Sequence, residues 1–502
     1  MGSIPHFVRP TTSPVFLSVN LRPISSGYRN YPILLTDKHF ETRGEIAMSV
    51  KTNAAIAICK ASHRAMRLMG RTARALPGKI AMQIDPDIIA NLSRGHRTIV
   101  ITGTNGKTTT THIVQQAIIN TQGGAAYDPT STNLEQGIAT TLCLDSTLDG
   151  KRRSEWAVIE SDEGATKTIL PAMKPRVMVV TNLYRDQVDR YTSWTTARDY
   201  IVQAAKSSPD TVLVLNADCQ VTASIADEVD NFVVWFGVEC PVYDEGVADH
   251  DESVRCVACD AELNFASRTF AHLGDYSCPS CGRAHALPDI ACTAIESARE
   301  KSCTLLLRIL GQEYTVEANV RAGYDVYNAV AAVAGLVATG MAEQDAFRAL
   351  AHFTHAAHRF EIFDVEGTRT RLLLMKNTAG CNQLVNMLVS EGETPQRLVC
   401  LLGAEIMDGL STDWIQDVRW EKIIGPDTQV IVGGPKHDDM RARLVHAGVR
   451  ADNLRVQTDY AALVRDIAAI GQPVTVIANC STIEALRLEL VKRYQPIDYW
   501  SE

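Results

Sequence analysis

The stretch "IVITGTNGKTTTTHIV" (99–114) has the layout of a phosphate-binding loop set between a strand and a helix. "RTIVI" (97–101) is a short β-branched run that predicts a buried strand, and "KTTTTHIVQQAIINT" (107–121) predicts a helix. Glycines between them let the backbone approach an anion, and the free N–H groups at a helix start face that anion. The stretch therefore predicts a site for the phosphates of a nucleotide.

Two side chains of this loop have the chemistry that a bound nucleotide requires. Lys107 supplies a positive charge for the terminal phosphates, and the Thr108 hydroxyl is placed to bind Mg²⁺. The usual spacing puts a glycine at position 101, where this chain has Ile101, so a plain glycine turn before a helix is the alternative interpretation. The predicted nucleotide contacts are Gly103, Thr104, Asn105, Gly106, Lys107, Thr108 and Thr109.

Length, composition and charge place the chain among globular proteins of several domains. Its 502 residues suggest two to four domains, with 46% hydrophobic and 21% charged residues. A net charge of -9 argues against general affinity for nucleic acids. No apolar run reaches the roughly 18 residues of a membrane helix, so we expect any membrane-linked substrate to be met from the aqueous side.

Residues 1–47 differ in composition from the rest of the chain. They are rich in Ser, Pro, Thr and Arg and have neither a helical nor a strand period. A transit peptide, a disordered tail and a start assigned too early are the three interpretations. We favour the third, because a better organised segment begins at Met48.

Four of the 13 cysteines form two close pairs separated by 18 residues. Four thiolates in this C-x2-C pattern suit a tetrahedral Zn²⁺ with no open position, which is typical of a structural site. Four unrelated thiols and a redox C-x2-C pair are the alternatives. His272 and His285 lie nearby, and we expect them to be solvated loop residues rather than ligands. The predicted ligands, in a ribbon at about 250–288, are Cys256, Cys259, Cys278 and Cys281.

The string "GTNGKTTT" (103–110) resembles the Mur ligases, which use ATP to join amino acids to cell-wall precursors. The resemblance implies Mg²⁺ at Glu160, with Glu163 as second choice, and ATP contacts from Asn328 and Arg359. Further matching segments follow in the family's order: "AVIESDEG" (157–164), "VVTNLYRDQVDRYTS" (179–193), "VLVLNADC" (212–219), "VVWFG" (233–237), "AGYDVYNAVAAVAG" (322–335) and "HRFE" (358–361).

Two departures change what the Mur resemblance implies. Gln187 and Tyr191 replace histidines of the amino-acid-adding enzymes, and "LLMKNTAGCNQ" (373–383) replaces their Asp-Tyr-Ala-His segment. The ATP domain, the four-cysteine ribbon and "MKNTAGCNQ" together resemble the MurT family, the Mur-ligase-like subunits of lipid II isoglutaminyl synthase. This resemblance covers residues 48 to about 495.

The C-terminal part alternates strand and helix patterns. Buried strands are predicted at "RLVCLLGA" (397–404), "QVIVGG" (429–434) and "VTVIANC" (474–480), which favours a parallel sheet. This pattern and the family resemblance together imply an α/β protein: an extension (1–47), a Mur-ligase-type P-loop ATP-binding domain with the inserted zinc ribbon (48–355), and a smaller Rossmann-like C-terminal α/β domain (356–502).

"EIMDGLSTDWIQDVRWE" (405–421) is both acidic and aromatic. The MurT resemblance implies that an Asp here completes the catalytic triad of a GatD-like glutaminase subunit, which supplies Cys and His. The family string is Asp-Gly-Arg-Asp-x-Ser-Trp. In the present chain the second Asp and the Ser of that string have exchanged positions. Asp413 is our first choice, Asp408 and Asp417 are alternatives, and acids that only cap helices or face solvent are a further interpretation.

The MurT resemblance implies one reaction scheme at the inner face of the membrane, on the cytoplasmic side. Ammonia from the partner amidates the α-carboxyl of D-glutamate in lipid II through an acyl phosphate, with ATP, Mg²⁺ and a structural Zn²⁺. Lys107, Glu160 and Asp413 are the implied catalytic residues. A Mur-type ligase that adds an amino acid, and a non-catalytic ATP-binding scaffold of an amidotransferase, are the alternatives.

Overall fold

A computed structural model describes most of the chain as two α/β units. The residues described are 48–69, 73, 75–128, 132–184, 194–243, 254–298, 302–321, 323–354, 360–392, 394–405, 408–409 and 411–497. The predictions for residues 1–47, Gln187, Tyr191 and Arg359 fall outside these ranges. Within them, no helix is long and apolar enough to cross a membrane.

The first unit is built on a nine-stranded sheet. From edge to edge its strands run β11-β10-β9-β6-β5-β4-β1-β3-β2. Neighbouring strands in the part of this order from β9 to β2 are parallel, whereas β10 pairs antiparallel with both β9 and β11. A separate hairpin is formed by β7 and β8. The strands are β1 Arg97–Thr102, β2 Ala125–Ala126, β3 Trp156–Glu160, β4 Val177–Val180, β5 Val212–Asn216, β6 Val233–Val238, β7 Asn264–Phe270, β8 Leu273–Ser277, β9 Ile290–Ala298, β10 Cys303–Ile309 and β11 Gln312–Ala318.

Ten helices accompany these strands in the described part of the first unit. They are α1 Val50–Leu68, α2 Leu76–Ile84, α3 Ile88–Ser93, α4 Lys107–Gln122, α5 Glu135–Asp145, α6 Thr166–Met173, α7 Trp194–Lys206, α8 Gln220–Ala223, α9 Tyr324–Ala338 and α10 Glu343–Ala351, with a 3₁₀ turn at Ser224–Glu228. The Ala- and Val-rich α9 is buried along nearly its whole length, because it packs between α4 and the sheet. The predicted strand and helix around the phosphate loop are confirmed as β1 and α4.

The second unit is a seven-stranded sheet in the order β16-β15-β14-β17-β13-β12-β18. Its five strands from β16 to β13 are parallel, and β12 and β18 are antiparallel. The strands are β12 Phe360–Val365, β13 Thr368–Leu374, β14 Arg397–Leu401, β15 Gln429–Gly433, β16 Leu454–Val456, β17 Val474–Ala478 and β18 Pro496–Ile497. The predicted parallel sheet and its three buried strands are confirmed.

Helices cover both faces of the second sheet over two apolar cores. They are α11 Thr378–Ser390, α12 His437–His446, α13 Tyr460–Ala468 and α14 Cys480–Leu490, with 3₁₀ turns at Asp413–Asp417, Trp420–Lys422 and Ala451–Asn453. The predicted α/β class, with a second and smaller α/β unit, is confirmed.

The two sheets meet at one cleft. Strands β1, β3 and β4 of the first sheet and β13, β14 and β17 of the second all end beside it, and its volume is about 900 Å³. Ligands of parallel α/β sheets bind outside the carboxyl ends of the strands. Residues of both units line the cleft, among them Thr104, Glu160, Asn182, Lys376, Ala404 and Cys480.

Candidate functional site

The phosphate loop depends on two glycines in backbone conformations that other residues rarely adopt. Gly103 has φ 122° and Gly106 has φ 82°. A Cβ at position 103 would lie 2.3 Å from Thr181 Oγ1, and one at position 106 would lie 2.0 Å from Asn328 Oδ1. No side chain fits such spaces, so both positions require glycine.

Lys107 and Thr108 open α4 and meet two carboxylates at the end of β3. Lys107 Nζ lies 3.3 Å from Glu163 Oε1 and donates to the backbone oxygens of Gly103 and Thr104. Thr108 Oγ1 donates to Glu160 Oε1 at 3.0 Å. These are oxygen donors of the kind that Mg²⁺ prefers, so Thr108 and Glu160 fit a magnesium ion. Glu163, the second choice, lies instead against the lysine.

The sequence interpretation missed the residues that follow β4 and hold the loop. Asn182 Oδ1 accepts from the Asn105 N–H at 2.9 Å, and its Nδ2 donates to the Asn105 oxygen at 3.0 Å. Thr181 Oγ1 donates to the same oxygen at 2.7 Å, and the Tyr184 N–H donates to Thr104 Oγ1 at 3.0 Å. Polar residues just after a strand that neighbours the phosphate-loop strand are the pattern that could have revealed them.

Asn328, the residue implied as an ATP contact, lies in the first turns of α9 and faces the loop at Gly106. Its side chain donates to Asp325 Oδ1 at 3.2 Å, and its backbone oxygen accepts from Thr110 Oγ1 at 3.4 Å. It also lines the cleft. The structure thus brings Asn328 together with the predicted loop residues.

The replacement segment "LLMKNTAGCNQ" closes the cleft from the second unit. Asn377 caps α11 by accepting from the Gly380 N–H at 2.7 Å, and its Nδ2 donates to Asn105 Oδ1 at 3.1 Å. Further along α11, Tyr243 OH of the first unit donates to Gln383 Oε1 at 2.6 Å. The segment therefore packs directly on the phosphate loop, a contact that sequence spacing did not reveal.

The four predicted zinc ligands come together at the base of the β7–β8 hairpin. Their sulfur atoms all lie within 4.8 Å of one another; Cys256 and Cys281 are 3.7 Å apart, and Cys259 and Cys278 are 3.5 Å apart. A tetrahedral ion with Zn–S bonds of about 2.3 Å separates its ligands by about 3.8 Å. The Cys281 N–H donates to the Cys278 sulfur and lowers the pKa of that thiol to about 6. The cluster fits zinc.

The expectation that His272 and His285 are solvated is wrong, because each bonds a buried group. His272 Nε2 lies 3.2 Å from Cys219 Sγ. Burial works to raise the pKa of the Cys219 thiol, but the charge and hydrogen bond of His272 outweigh it and lower that pKa to about 7. His285 Nε2 lies 2.7 Å from Asp218 Oδ1, whose side chain is only 2% exposed.

Asp218 joins the ribbon to the nucleotide cleft. Besides His285, its carboxylate accepts from Tyr327 OH at 2.6 Å and from the Val238 N–H at 2.8 Å. Tyr327 precedes Asn328 on α9 and also meets Thr269 Oγ1 at 2.7 Å. Since Tyr327 lines the cleft together with Phe270 and Leu273 of the hairpin, the end of the ribbon forms part of the cleft wall.

The three candidate triad acids lie in different environments. Asp408 is only 9% exposed, and its carboxylate accepts from the N–H and hydroxyl of Ser481 and from the Glu405 N–H. Asp413 begins an exposed 3₁₀ turn that Asp417 ends, and both acids face solvent. Asp408 is therefore engaged within this chain, while Asp413 and Asp417 are accessible to another one.

Comparison with known proteins gives consistent matches along the chain. The family profile described as Mur ligase middle domain matches residues 101–269, and the one described as MurT ligase C-terminal matches residues 374–483. The MurT subunit of the glutamine-hydrolyzing lipid II isoglutaminyl synthase from Streptococcus pneumoniae is 30% identical over 410 residues, covering 81% of this chain and 89% of that protein. The same subunit from Staphylococcus aureus is 28% identical over 446 residues, with coverages of 88% and 98%.

A solved structure shows the same fold at low sequence identity. The pseudomurein peptide ligase type C from Methanothermus fervidus superposes with a TM-score of 0.62 at 18% identity, and 81% of each chain is covered. This match confirms the predicted Mur-ligase-type fold.

Proposed function

Because the chain belongs to the MurT family, we propose that it is the ATP-dependent synthetase subunit of a lipid II isoglutaminyl synthase. The position of "LLMKNTAGCNQ" (373–383) is the observation that most strongly supports this function. This segment packs on the phosphate loop through Asn377 and Asn105, and the Mur resemblance implies that it stands in place of the Asp-Tyr-Ala-His segment of the amino-acid-adding enzymes. Ammonia is small and uncharged, so a segment without an amino-acid pocket suits it as the nucleophile.

The phosphate loop and β3 supply the groups for phosphoryl transfer. Lys107 would exchange its bonds to Gly103, Thr104 and Glu163 for the terminal phosphate of ATP. Thr108 and Glu160 would hold Mg²⁺, which when bound neutralises phosphate charge. An oxygen of the D-glutamate α-carboxylate attacks the γ-phosphorus, the bond to the β-phosphate oxygen breaks, and ADP leaves.

The second step forms the amide. The nitrogen of ammonia attacks the carbonyl carbon of the acyl phosphate, the carbon–oxygen bond to phosphate breaks, and inorganic phosphate leaves as the nitrogen loses a proton. The product is D-isoglutamine in the stem peptide. A glutaminase subunit of the GatD type would supply the ammonia, with its Cys and His completed by an Asp of this chain. The exposure of Asp413 supports it as that residue.

A mass-spectrometric assay with ATP, Mg²⁺ and lipid II tests the proposal. With the isolated chain we expect the acid-to-amide mass change with ammonium chloride and none with glutamine. Addition of the glutaminase should make glutamine a donor. Addition of a free amino acid to the precursor would instead indicate a Mur-type ligase. No product with any donor, with ATP and zinc bound, would indicate a different acceptor or a scaffold.

Substitution of the three acids identifies the triad residue. We expect Asp413→Asn to abolish glutamine-dependent amidation while amidation with ammonium chloride stays unchanged. Asp417→Asn is the matched control, since it removes an exposed carboxylate from the same turn. If Asp417→Asn or Asp408→Asn shows this pattern and Asp413→Asn does not, the assignment of Asp413 is wrong.

A further inference from the structure

The first helix of the structure presents an apolar face to solvent. Thr52, Ala55, Ile56 and Cys59 are buried against the protein. On the opposite side, Val50 is 87% exposed, Ile58 44% and Leu68 80%. At 3.6 residues per turn, the four exposed alanines at 54, 57, 61 and 65 fall between these residues and complete one stripe. A helix of a soluble domain normally carries polar residues on this side.

Other exposed apolar residues lie at the end of α1, at the start of α2 and on a loop beside the start of α1. Met69 at the end of α1 is 64% exposed, Leu76 at the start of α2 is 49%, and Leu148 is 61%. The loop of Leu148 lies beside the start of α1, since a Cβ at position 150 would touch the Met48 side chain. The α1 surface, as defined here, consists of Val50, Ile58, Leu68, Met69, Leu76 and Leu148. These are six of the eleven large apolar residues found exposed in the described part of the chain.

The charge of the stretch that contains α1 and α2 is opposite in sign to that of the whole protein. Residues 50–84 contain no Asp or Glu, in a chain whose net charge is -9. Within α1, the side chains of Lys51, Arg64 and Arg67 are exposed beside the apolar stripe. The basic residues of this stretch are Lys51, Lys60, Arg64, Arg67, Arg71, Arg74 and Lys79.

We infer that the α1 surface binds the anionic lipid surface of a membrane. A helix with an exposed apolar stripe and basic flanks has the composition of helices that lie in the membrane interface. Anionic headgroups attract each nearby Lys or Arg, while the apolar residues enter the acyl boundary. The exposed Lys51, Arg64 and Arg67 of α1 match such a surface in charge and do not match a second copy of the same basic helix.

The position of the α1 surface fits a lipid-linked acceptor, and this part of the inference rests on the proposed function. Ala75 lines the cleft, and the next residue, Leu76, belongs to the α1 surface. A membrane bound there would lie beside the cleft entrance. The stem peptide of a lipid-anchored precursor would then reach the phosphate loop while its lipid anchor stays in the membrane.

Vesicle co-sedimentation of the full chain tests the membrane contact without any substrate. We expect binding to vesicles with phosphatidylglycerol to be at least about tenfold tighter than to phosphatidylcholine alone. Leu68→Glu and the double variant Arg64→Glu/Arg67→Glu should each abolish the difference. Leu488→Glu is the matched control, because Leu488 is 56% exposed on a helix of the second unit and should leave binding unchanged.

Several results of the vesicle experiment would overturn the inference. These are absence of binding by the wild-type chain, equal binding to both vesicle types, and binding that Leu68→Glu leaves intact. Self-association that Leu68→Glu removes, without vesicle binding, would assign the surface to a second copy. Vesicle binding that appears only after removal of residues 1–47 would show that this segment, and not a membrane, occupies the α1 surface in the full chain.

An activity measurement with the glutaminase present separates this inference from the proposed function. Leu68→Glu should amidate lipid II in phosphatidylglycerol vesicles about tenfold more slowly than wild type, and amidate a soluble acceptor without the lipid tail at the wild-type rate. Equal losses on both acceptors would overturn the membrane role. If wild type amidates neither acceptor yet binds vesicles, the proposed function fails and the membrane surface stands.

Discussion

The phosphate loop and the four-cysteine ribbon are both marked by residue spacing, but they are held in different ways. The loop is fixed by side chains of other elements, with Thr181, Asn182 and Asn328 in direct contact. The ribbon has its own apolar cluster of four buried residues, Cys256, Leu263, Tyr276 and Cys278, and two of these belong to the four-cysteine cluster that fits zinc. Contacts within the protein therefore hold the loop, whereas we expect the ribbon, with so small a core of its own, to depend on a bound metal.

The same comparison shows where the two regions are coupled. Asp218 binds His285 of the ribbon and Tyr327 of α9, and the hairpin end forms part of the cleft wall. Damage to the loop should remove chemistry and leave the ribbon intact. Damage to the ribbon should weaken nucleotide binding through the shared wall while the loop residues remain.

The largest expected effect is on the loop. Lys107→Ala should lower amidation with ammonium chloride about 10³-fold, because it removes the charge that stabilises the transferring phosphate. Zinc content and binding to the glutaminase should stay at wild-type levels. Turnover within tenfold of wild type would show that Lys107 does not act on the phosphate, and lost zinc would show that the two regions are not independent.

Removal of zinc tests the ribbon side of the comparison. Chelation, or Cys278→Ser, should unfold residues 254–288, since binding of a structural zinc supplies about 10–16 kcal/mol of folding free energy in small zinc domains. Limited proteolysis should then cut the ribbon, and the Kd for ATP should rise about tenfold as Phe270 and Leu273 leave the cleft wall. Zinc added back to the chelated protein is the control. A ribbon that resists the protease without metal would show that its folding does not depend on zinc.

Asp218→Asn isolates the link between the regions. The buried carboxylate accepts three hydrogen bonds, and its loss should lower the free energy of unfolding by about 2–3 kcal/mol. The Kd for ATP should rise severalfold with the zinc still bound. Tyr327→Phe, which removes one of the three bonds, should give a smaller change of the same sign in urea unfolding and ATP titration. A loss of stability with unchanged ATP affinity would show that the role of Asp218 is purely structural.

Local spacing carried most of what the sequence predicted. The loop glycines, the cysteine pairs and the parallel strands each lie within one short segment, so their periodicity is visible in the chain. The missed contacts join distant positions: Asn105 and Asn377 are 272 residues apart, and Asp218 and His285 are 67. Such pairs leave no local pattern, because only the packing of two complete units brings them together.

The smallest expected effect is a pH dependence of the ribbon that the loop does not share. Burial works to lower the pKa of His285, but the hydrogen bond to Asp218 and the charges of Asp218, Asp275 and Glu239 outweigh it, so the pKa is raised. A raised folded-state pKa contributes stability that is complete below the unfolded value of about 6.5 and is lost as pH rises through the folded pKa. With zinc saturating, the advantage of wild type over His285→Gln in urea unfolding should therefore shrink from pH about 6.5 upward. An advantage that grows with pH would mean that the neutral imidazole, and not its cation, is what Asp218 holds.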